Sequence, residues 1–326
     1  MHRRSFVLLG AAGLGSMISG CSDDEGFDLK NAPSGPIVLG FSQVGSESGW
    51  RLANTKSIQK AAEYNRIELK FDNAEGDQKR QIAAIQSYID ARVNVIAFSP
   101  VVESGWDEVL QRARAAGIPV VLTDRLIKTA DESLYVSSIG ADFVAEGNLA
   151  AAYLANDYSS GKNSVKVVEI LGTPDSTPAK QRTQGFTETI SKEKKLTVID
   201  REAGNWTKAG GETAMRKLLR RNKDFDAVFA QNDEMGLGAA AVLADAGREP
   251  GSTSRIVTVD ATKAGLQGLI DGKLNYVVEC SPLIGELLMK AVVDLFYGGK
   301  VLRRISSEIV VFDKFSAATA LPDRTY

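Results

Sequence analysis

From Pro36 onward, short β-branched runs alternate with amphipathic helical stretches, and this alternation restricts the fold more than any other feature of the chain. The runs are IVLGF, IELKF, VNVIAFS, PVVLT, LYVSSI, VKVVEIL, LTVIDR, DAVFA, RIVTVD and NYVVE. Between them, QIAAIQSYIDARV sets Ile82, Ile85, Ile89 and Val93 on one helical stripe. IGELLMKAVVDLF gives Ile284, Leu287, Leu288, Ala291, Val292 and Leu295 a broad apolar face. Strands and helices in strict alternation form parallel sheets covered by helices. So many strands, with full-length helices between them, exceed one small domain, and the expected fold is α/β with two lobes. The second set begins near GADFVAEGNLAAAYLANDY.

The start of the chain reads as an address. MHRRSFVLLGAAGLGSMISGC has a basic start and an apolar stretch too short to span a bilayer, so 1–20 is expected to be a signal peptide. RRSF is a twin-arginine pattern, which exports folded protein. ISGC resembles the lipobox of lipoproteins, with Cys21 as the lipid-modified residue. The polar, Gly- and Pro-containing stretch 21–35 then serves as a flexible tether. With Cys21 acylated, Cys280 has no partner, and it reads as a packed thiol.

Composition narrows the chemistry. The formal net charge of the 326 residues is −2, so no basic footprint points to nucleic acid. The single histidine is His2, inside the leader, and this removes His-based triads, acid–base work and metal ligation from the remainder. No metal or cofactor is expected.

In open parallel sheets, ligands bind beyond the carboxyl ends of the strands. Those ends carry a consistent set of side chains here. Gln43, Glu47, Trp50 and Arg51 follow the first run, Asp124-Arg125 the fourth, and Arg182 the sixth. Trp206 follows LTVIDR, Asn232 follows DAVFA, Asp260 ends RIVTVD and Glu279 ends NYVVE. Guanidinium groups fork neighbouring hydroxyls, carboxylates and amides exchange hydrogen bonds with them, and indole rings cover the C–H face of a sugar. The set describes a site for a polyhydroxylated ligand.

The segments GFSQVGSESGWR, SPVVESGW, IPVVLTDR, QRTQGF and QND resemble the extracytoplasmic sugar-binding proteins of the ribose-binding type, which share their fold with the lac-repressor effector domain. The likeness runs from about Pro36 to the end and is nearest to the galactofuranose-binding branch. It implies two Rossmann-like lobes joined by three crossovers, 36–140 plus 281–309 and 141–280 plus 310–326. It also implies an extracytoplasmic, monomeric receptor that passes a monosaccharide to the transmembrane subunits of an ABC permease. By that resemblance Trp50 stacks, Arg51, Asp124 and Arg125 hold hydroxyls from the first lobe, and Arg182, Asn232 and Asp260 close from the second. Two positions depart from the pattern: Asp260-Ala261 replaces Asp-Gly, and Gln231 replaces a His.

Other readings compete. Trp50 is expected as a stacking ring on a loop, with a core anchor as its alternative; Trp206 is open between stacking and covering a helix start, and Trp106 reads as packing. Glu47 could cap a helix, and Glu279 could serve a hinge. Gly236-x-Gly238-x-x-Ala241 with Asp260 has a dinucleotide spacing, so an exported NAD(P)-dependent oxidoreductase is an alternative, although Asp233 and Glu234 sit where a pyrophosphate would lie. Asp124 and Asp260 as a glycosidase pair would need one raised carboxyl, and the nearby arginines are expected to push both down. A receptor feeding a sensor kinase would look the same at this level.

Overall fold

The computed structural model describes residues 35–326. The segment 1–34, with the expected leader, Cys21 and nearly all of the tether, lies outside the described residues.

All of the runs named above are strands. β1 (Val38–Gln43), β2 (Glu68–Asn73), β3 (Val95–Phe98), β4 (Val120–Thr123) and β5 (Ser137–Gly140) belong to one sheet. β6 (Val165–Leu171), β7 (Leu196–Ala203), β8 (Ala227–Ala230), β9 (Arg255–Asp260) and β10 (Tyr276–Glu279) belong to a second. Two short strands complete them, β11 (Arg304–Ser306) and β12 (Val311–Phe312). The orders are β11-β5-β4-β3-β1-β2 and β12-β10-β9-β8-β6-β7. Every pairing is parallel except β12 on β10. The chain therefore passes between the sheets after β5, after β10 and after β11. β11 has no apolar run of its own, whereas β12 lies in the short run IVVF (309–312), which is not among the runs named above.

The central strand runs are apolar because helices cover both faces, whereas the edge strands β2 and β7 are partly exposed and carry charged residues. Val95, Ile96, Ala97 and Phe98 are all fully buried, as are Ala227, Val228, Phe229 and Ala230. α1 (Gly49–Tyr64) and α9 (Gly285–Phe296) pack together over the first sheet. On α9 the buried set is Leu288, Met289, Ala291 and Val292, whereas Leu287 is exposed. The apolar face is thus turned from the expected one, with Met289 in place of Leu287.

Three helix pairs approach to backbone contact among the described residues, one of them α1 and α9, where a Cβ added at Gly285 would lie 2.3 Å from the Ser57 carbonyl. A Cβ added at Gly147 on α4 (Phe143–Asp157) would lie 2.2 Å from the Arg182 carbonyl of α5 (Thr177–Ile190). One added at Gly185 would lie 2.0 Å from the Val144 carbonyl. The same crossing stacks Phe186 on Phe229, with centroids 4.2 Å apart, and sets Arg182 against Glu146. Arg182-x-x-Gly185-Phe186 is therefore one packing device. Gly236 and Gly238 act likewise: on α7 (Asp233–Asp245) they admit the Thr258 side chain and the Lys208 carbonyl of α6 (Lys208–Arg221), so their dinucleotide-like spacing is explained by packing.

Replacing Gly185 by Ala should cost about 2 kcal/mol through overpacking and weaken the hold of α4 on Arg182. Urea denaturation of the variant reads this directly; an unchanged midpoint would show that the two helices do not meet as described.

Candidate functional site

The carboxyl ends of both sheets face one cavity. The first sheet and its loops contribute Glu47, Ser48, Trp50, Arg51, Asp124 and Arg125. The second contributes Pro178, Arg182, Trp206, Asn232 and Asp260, and Cys280 lines it from the passage after β10. Apart from Glu47, its charged residues are only 3–7% exposed.

On the first wall, Ser48 caps α1 by accepting from the Arg51 amide, which sets Trp50 and Arg51 in the first turn. Each nitrogen of the Arg51 guanidinium has a partner. It donates to Asp124 Oδ2 at 2.7 Å, to Glu47 Oε1 at 3.2 Å and to Gln43 Oε1 at 3.2 Å. Burial works against its charge, but Asp124 and Glu47 outweigh it and hold its pKa above the ordinary value. Burial would likewise raise the Glu47 carboxyl, but Arg51 and Arg125 keep it below its usual range. Arg125 differs. Its Nη1 reaches the Val101 carbonyl at 3.2 Å, its nearest carboxylate oxygens are 3.8 Å away, and its buried Nε has no partner among the described residues. Burial, together with repulsion from Arg51, brings its pKa down to about 10, so it remains a cation at neutral pH.

On the second wall, Arg182 donates to Glu146 Oε2 and to the Gln231 carbonyl, each at 2.7 Å. Its charge is buried, yet Glu146 outweighs that and raises its pKa. Its Nη2 stays 3.8 Å from Asp260 Oδ1. The Asp260 side chain makes no hydrogen bond among the described residues, and burial pushes its pKa well up against the pull of Arg182. The expectation that neighbouring guanidinium groups lower this carboxyl is therefore wrong, because desolvation outweighs them.

Both indole rings are held, not free. The Trp50 ring is 7% exposed, donates Nε1 to the Cys280 carbonyl at 2.5 Å and lies under the Arg51 guanidinium, 4.7 Å from its centroid. It is an anchor and a cavity wall together, rather than a ring exposed on a loop. Trp206 packs against Gly172, stands 5.6 Å from Arg182 and keeps a buried Nε1 without a partner. Trp106 is core packing as read, against Phe98.

Left-handed backbone concentrates here: Asp124 has φ 60°, Asn205 52°, Trp206 68°, Asp260 118° and Ala261 59°. Such residues cost about 1–3 kcal/mol each and persist where a site over-determines them. The Asp-Ala departure thus falls at a position whose backbone favours glycine.

Two expected residues lie off the cavity. The Gln43 side chain sits behind it, bonding Arg51, Asn54 and Thr55. Glu279 is a correction: its carboxylate is taken by Arg324 and by the Tyr326 hydroxyl at 2.6 Å, so it ties the chain end to β10. Asn232 lines the cavity but mainly caps α7, accepting from the Met235 amide and donating to the Trp206 carbonyl. Glu146 escaped the sequence reading. It was signalled only as one acid in the apolar stretch FVAEGNLAAA, and it is fully buried. Cys280 contributes its carbonyl, and burial pushes its thiol pKa well up.

Outside the cavity three contacts join the two halves. The Gly49 amide donates to Glu234 Oε1 at 2.6 Å, Thr177 Oγ1 exchanges hydrogen bonds with the backbone of Leu126, and Lys180 meets Glu103 at 2.5 Å.

The profile of a periplasmic binding protein domain matches residues 39–300. The galactofuranose-binding protein YtfQ of Escherichia coli is 36% identical over 77% of this chain and 79% of its own. The fructose import binding protein FruE of Bifidobacterium longum is 35% identical over 98% and 94%. Among solved structures, a Mycobacterium smegmatis protein in complex with β-D-fucofuranose superimposes with a TM-score of 0.87 at 48% identity, covering 89% of this chain and 95% of that one. The periplasmic binding protein of the Shewanella sp. ANA-3 arabinose ABC transporter, bound to α- and β-L-arabinofuranose, gives 0.85 at 35% identity over 88% and 95%. With most of its length matched by that profile and its two-lobed architecture shared with these structures, the chain belongs to the periplasmic binding protein domain family.

Proposed function

We propose that the protein captures a monosaccharide, in a five-membered ring form, between two lobes of residues 36–140 plus 281–309 and 141–280 plus 310–326. One observation carries this reading. Each half presents a buried charge with unmet hydrogen-bonding capacity, Arg125 from the first and Asp260 from the second. A neutral hydroxylated ring accepts from one and donates to the other without adding charge to the cavity. Indole rings on both walls supply apolar faces for its C–H groups. The furanoses bound by the relatives support the ring form.

Arg51, held by two carboxylates and an amide, and Arg182, held by Glu146 and the Gln231 carbonyl, act chiefly as scaffolding that fixes Asp124, Glu146 and the two indoles. Closure follows from differential affinity: the ligand favours the closed form by the contacts it makes only when both walls are present. The Glu234, Thr177 and Lys180 contacts add to that form without touching the sugar. No reaction is proposed. Residues 21–326 contain no histidine, and Asp124, which would have to partner Asp260 in a glycosidase, is held by Arg51. The receptor acts as an extracytoplasmic monomer, anchored through a lipid on Cys21, and delivers its sugar to the transmembrane subunits of an ABC permease.

Calorimetry with D-galactose, D-fucose, L-arabinose, D-fructose and D-ribose tests the capture. At least one should bind with 1:1 stoichiometry, and Arg125→Met or Asp260→Asn should each weaken it by ten- to a hundred-fold, the loss of about 1.5–3 kcal/mol of charged hydrogen bonding. Heat release unaffected by both substitutions would contradict the reading.

The affinity should also depend on pH with a defined sign. Asp260 accepts from the ligand when ionised, and its pKa lies well above the ordinary 3.8. Binding is therefore full above that raised pKa and falls as pH drops through it, at a higher pH than an ordinary aspartate would give. Glu146, Asp124 and Asp233 add repulsion that raises the pKa further, and Arg182 opposes it. Asp260→Asn should flatten the profile; a wild-type affinity constant down to the ordinary aspartate range would refute the role.

For the anchor, Cys21→Ser should move the protein from the membrane fraction to the soluble one, and intact mass should show the acyl groups lost. Equal partition of both proteins would exclude lipidation at Cys21.

A further inference from the structure

We infer that the site accepts a furanose bearing a second sugar residue, which lies in a side chamber running from the cavity to solvent; the inference rests on the capture reading above. The chamber is larger than the cavity and open to solvent, and the two share Glu47, Arg125 and Trp206 as a common wall. It is built from loops of both halves. Its floor is apolar, with Val44 and Val101 buried together beside Ala74. Its rim carries short hydroxyl and amide groups, those of Ser46, Asn73, Thr173 and Asn205.

Three observations point to an occupant rather than an open mouth. Two side chains of the common wall, Arg125 and Trp206, are 3% and 6% exposed, and each keeps a buried N–H without a partner among the described residues. An unpaired buried donor is destabilising, so two of them on one partition call for acceptors that a ligand would supply. The partition is also strained, because Asn205 and Trp206 are consecutive left-handed residues that hold the indole between the two spaces. Finally, exposure is graded: Ser46, Glu75 and Asn205 are exposed, whereas Val44, Val101, Arg125 and Trp206 are buried. A ring filling the inner cavity thus has a path for a substituent that leaves the inner contacts intact. An apolar floor below neutral hydrogen-bonding groups matches a second pyranose or furanose ring, one C–H face down and hydroxyls toward the rim.

Thr173 separates this proposal from the capture itself. It lines the chamber and not the cavity, is partly exposed, and its side chain makes no hydrogen bond among the described residues. Calorimetry on the full protein would compare L-arabinose with α-1,5-arabinobiose, D-fructose with sucrose, and D-galactose with β-1,5-galactofuranobiose. At least one disaccharide should bind as tightly as its monosaccharide or more tightly. Thr173→Trp, which adds bulk to the chamber wall, should weaken that disaccharide about tenfold and leave the monosaccharide nearly unchanged, with Thr173→Ala and a melting curve as folding controls. Monosaccharide binding with every disaccharide rejected overturns the inference alone, as does a Thr173→Trp loss shared by both sugars or by neither. If no sugar of the three pairs binds, the capture reading fails and takes this inference with it.

Discussion

Buried charge is the constraint on which the rest of this structure depends. Three guanidinium groups and four carboxylates, those of Arg51, Arg125, Arg182, Glu47, Asp124, Glu146 and Asp260, gather where the two sheets face each other. A charge taken out of water is tolerated only when it is paired and hydrogen-bonded. Arg51 is satisfied within the first half by Asp124, Glu47 and Gln43. Arg182 is satisfied within the second by Glu146 and the Gln231 carbonyl. Arg125 makes one hydrogen bond and the Asp260 side chain none among the described residues, one from each half, while Glu146 Oε1, off the cavity, is also unpaired. In the proposed mechanism this asymmetry is the recognition device, because a ligand that completes both must touch both walls.

Fold and site are linked through a few close approaches. Gly147 and Gly185 bring α4 and α5 into backbone contact, and that contact puts Glu146 beneath Arg182. Ser48 starts α1 one residue before Gly49, and the first turn then aims Trp50 at the Cys280 carbonyl and Arg51 at Asp124. Left-handed residues at Asp124 and Asp260 bend the chain where β4 and β9 end. The strands are rigid because both faces are buried, so the strain is held at their tips.

Much of this was legible in the sequence. The runs located all ten long strands; the central ones are uninterrupted because both of their faces are buried, and the edge strands β2 and β7 showed as shorter apolar or β-branched runs. The polar residues just past them located most of the cavity, since chain order places strand ends on one edge of each sheet. What was not legible has physical causes. β11 is too short to carry a pattern, and β12 is only two residues of the run IVVF. Glu146 is a helix residue whose partner lies 36 positions away, and no local spacing signals that pair. Glu279 ends a strand as Asp260 does, but Arg324 and Tyr326 return from the chain end to occupy it. The protonation of Asp260 depends on how completely it is desolvated, which charge proximity along the chain does not report.

The most direct measurement is a crystal structure of the protein grown with the sugar that binds it in calorimetry. A single furanose ring with its hydroxyls within hydrogen-bond distance of the Arg125 guanidinium and the Asp260 carboxylate at once is the predicted result. A ring bound to one half alone, or seated outside the cavity with both groups untouched, would contradict it.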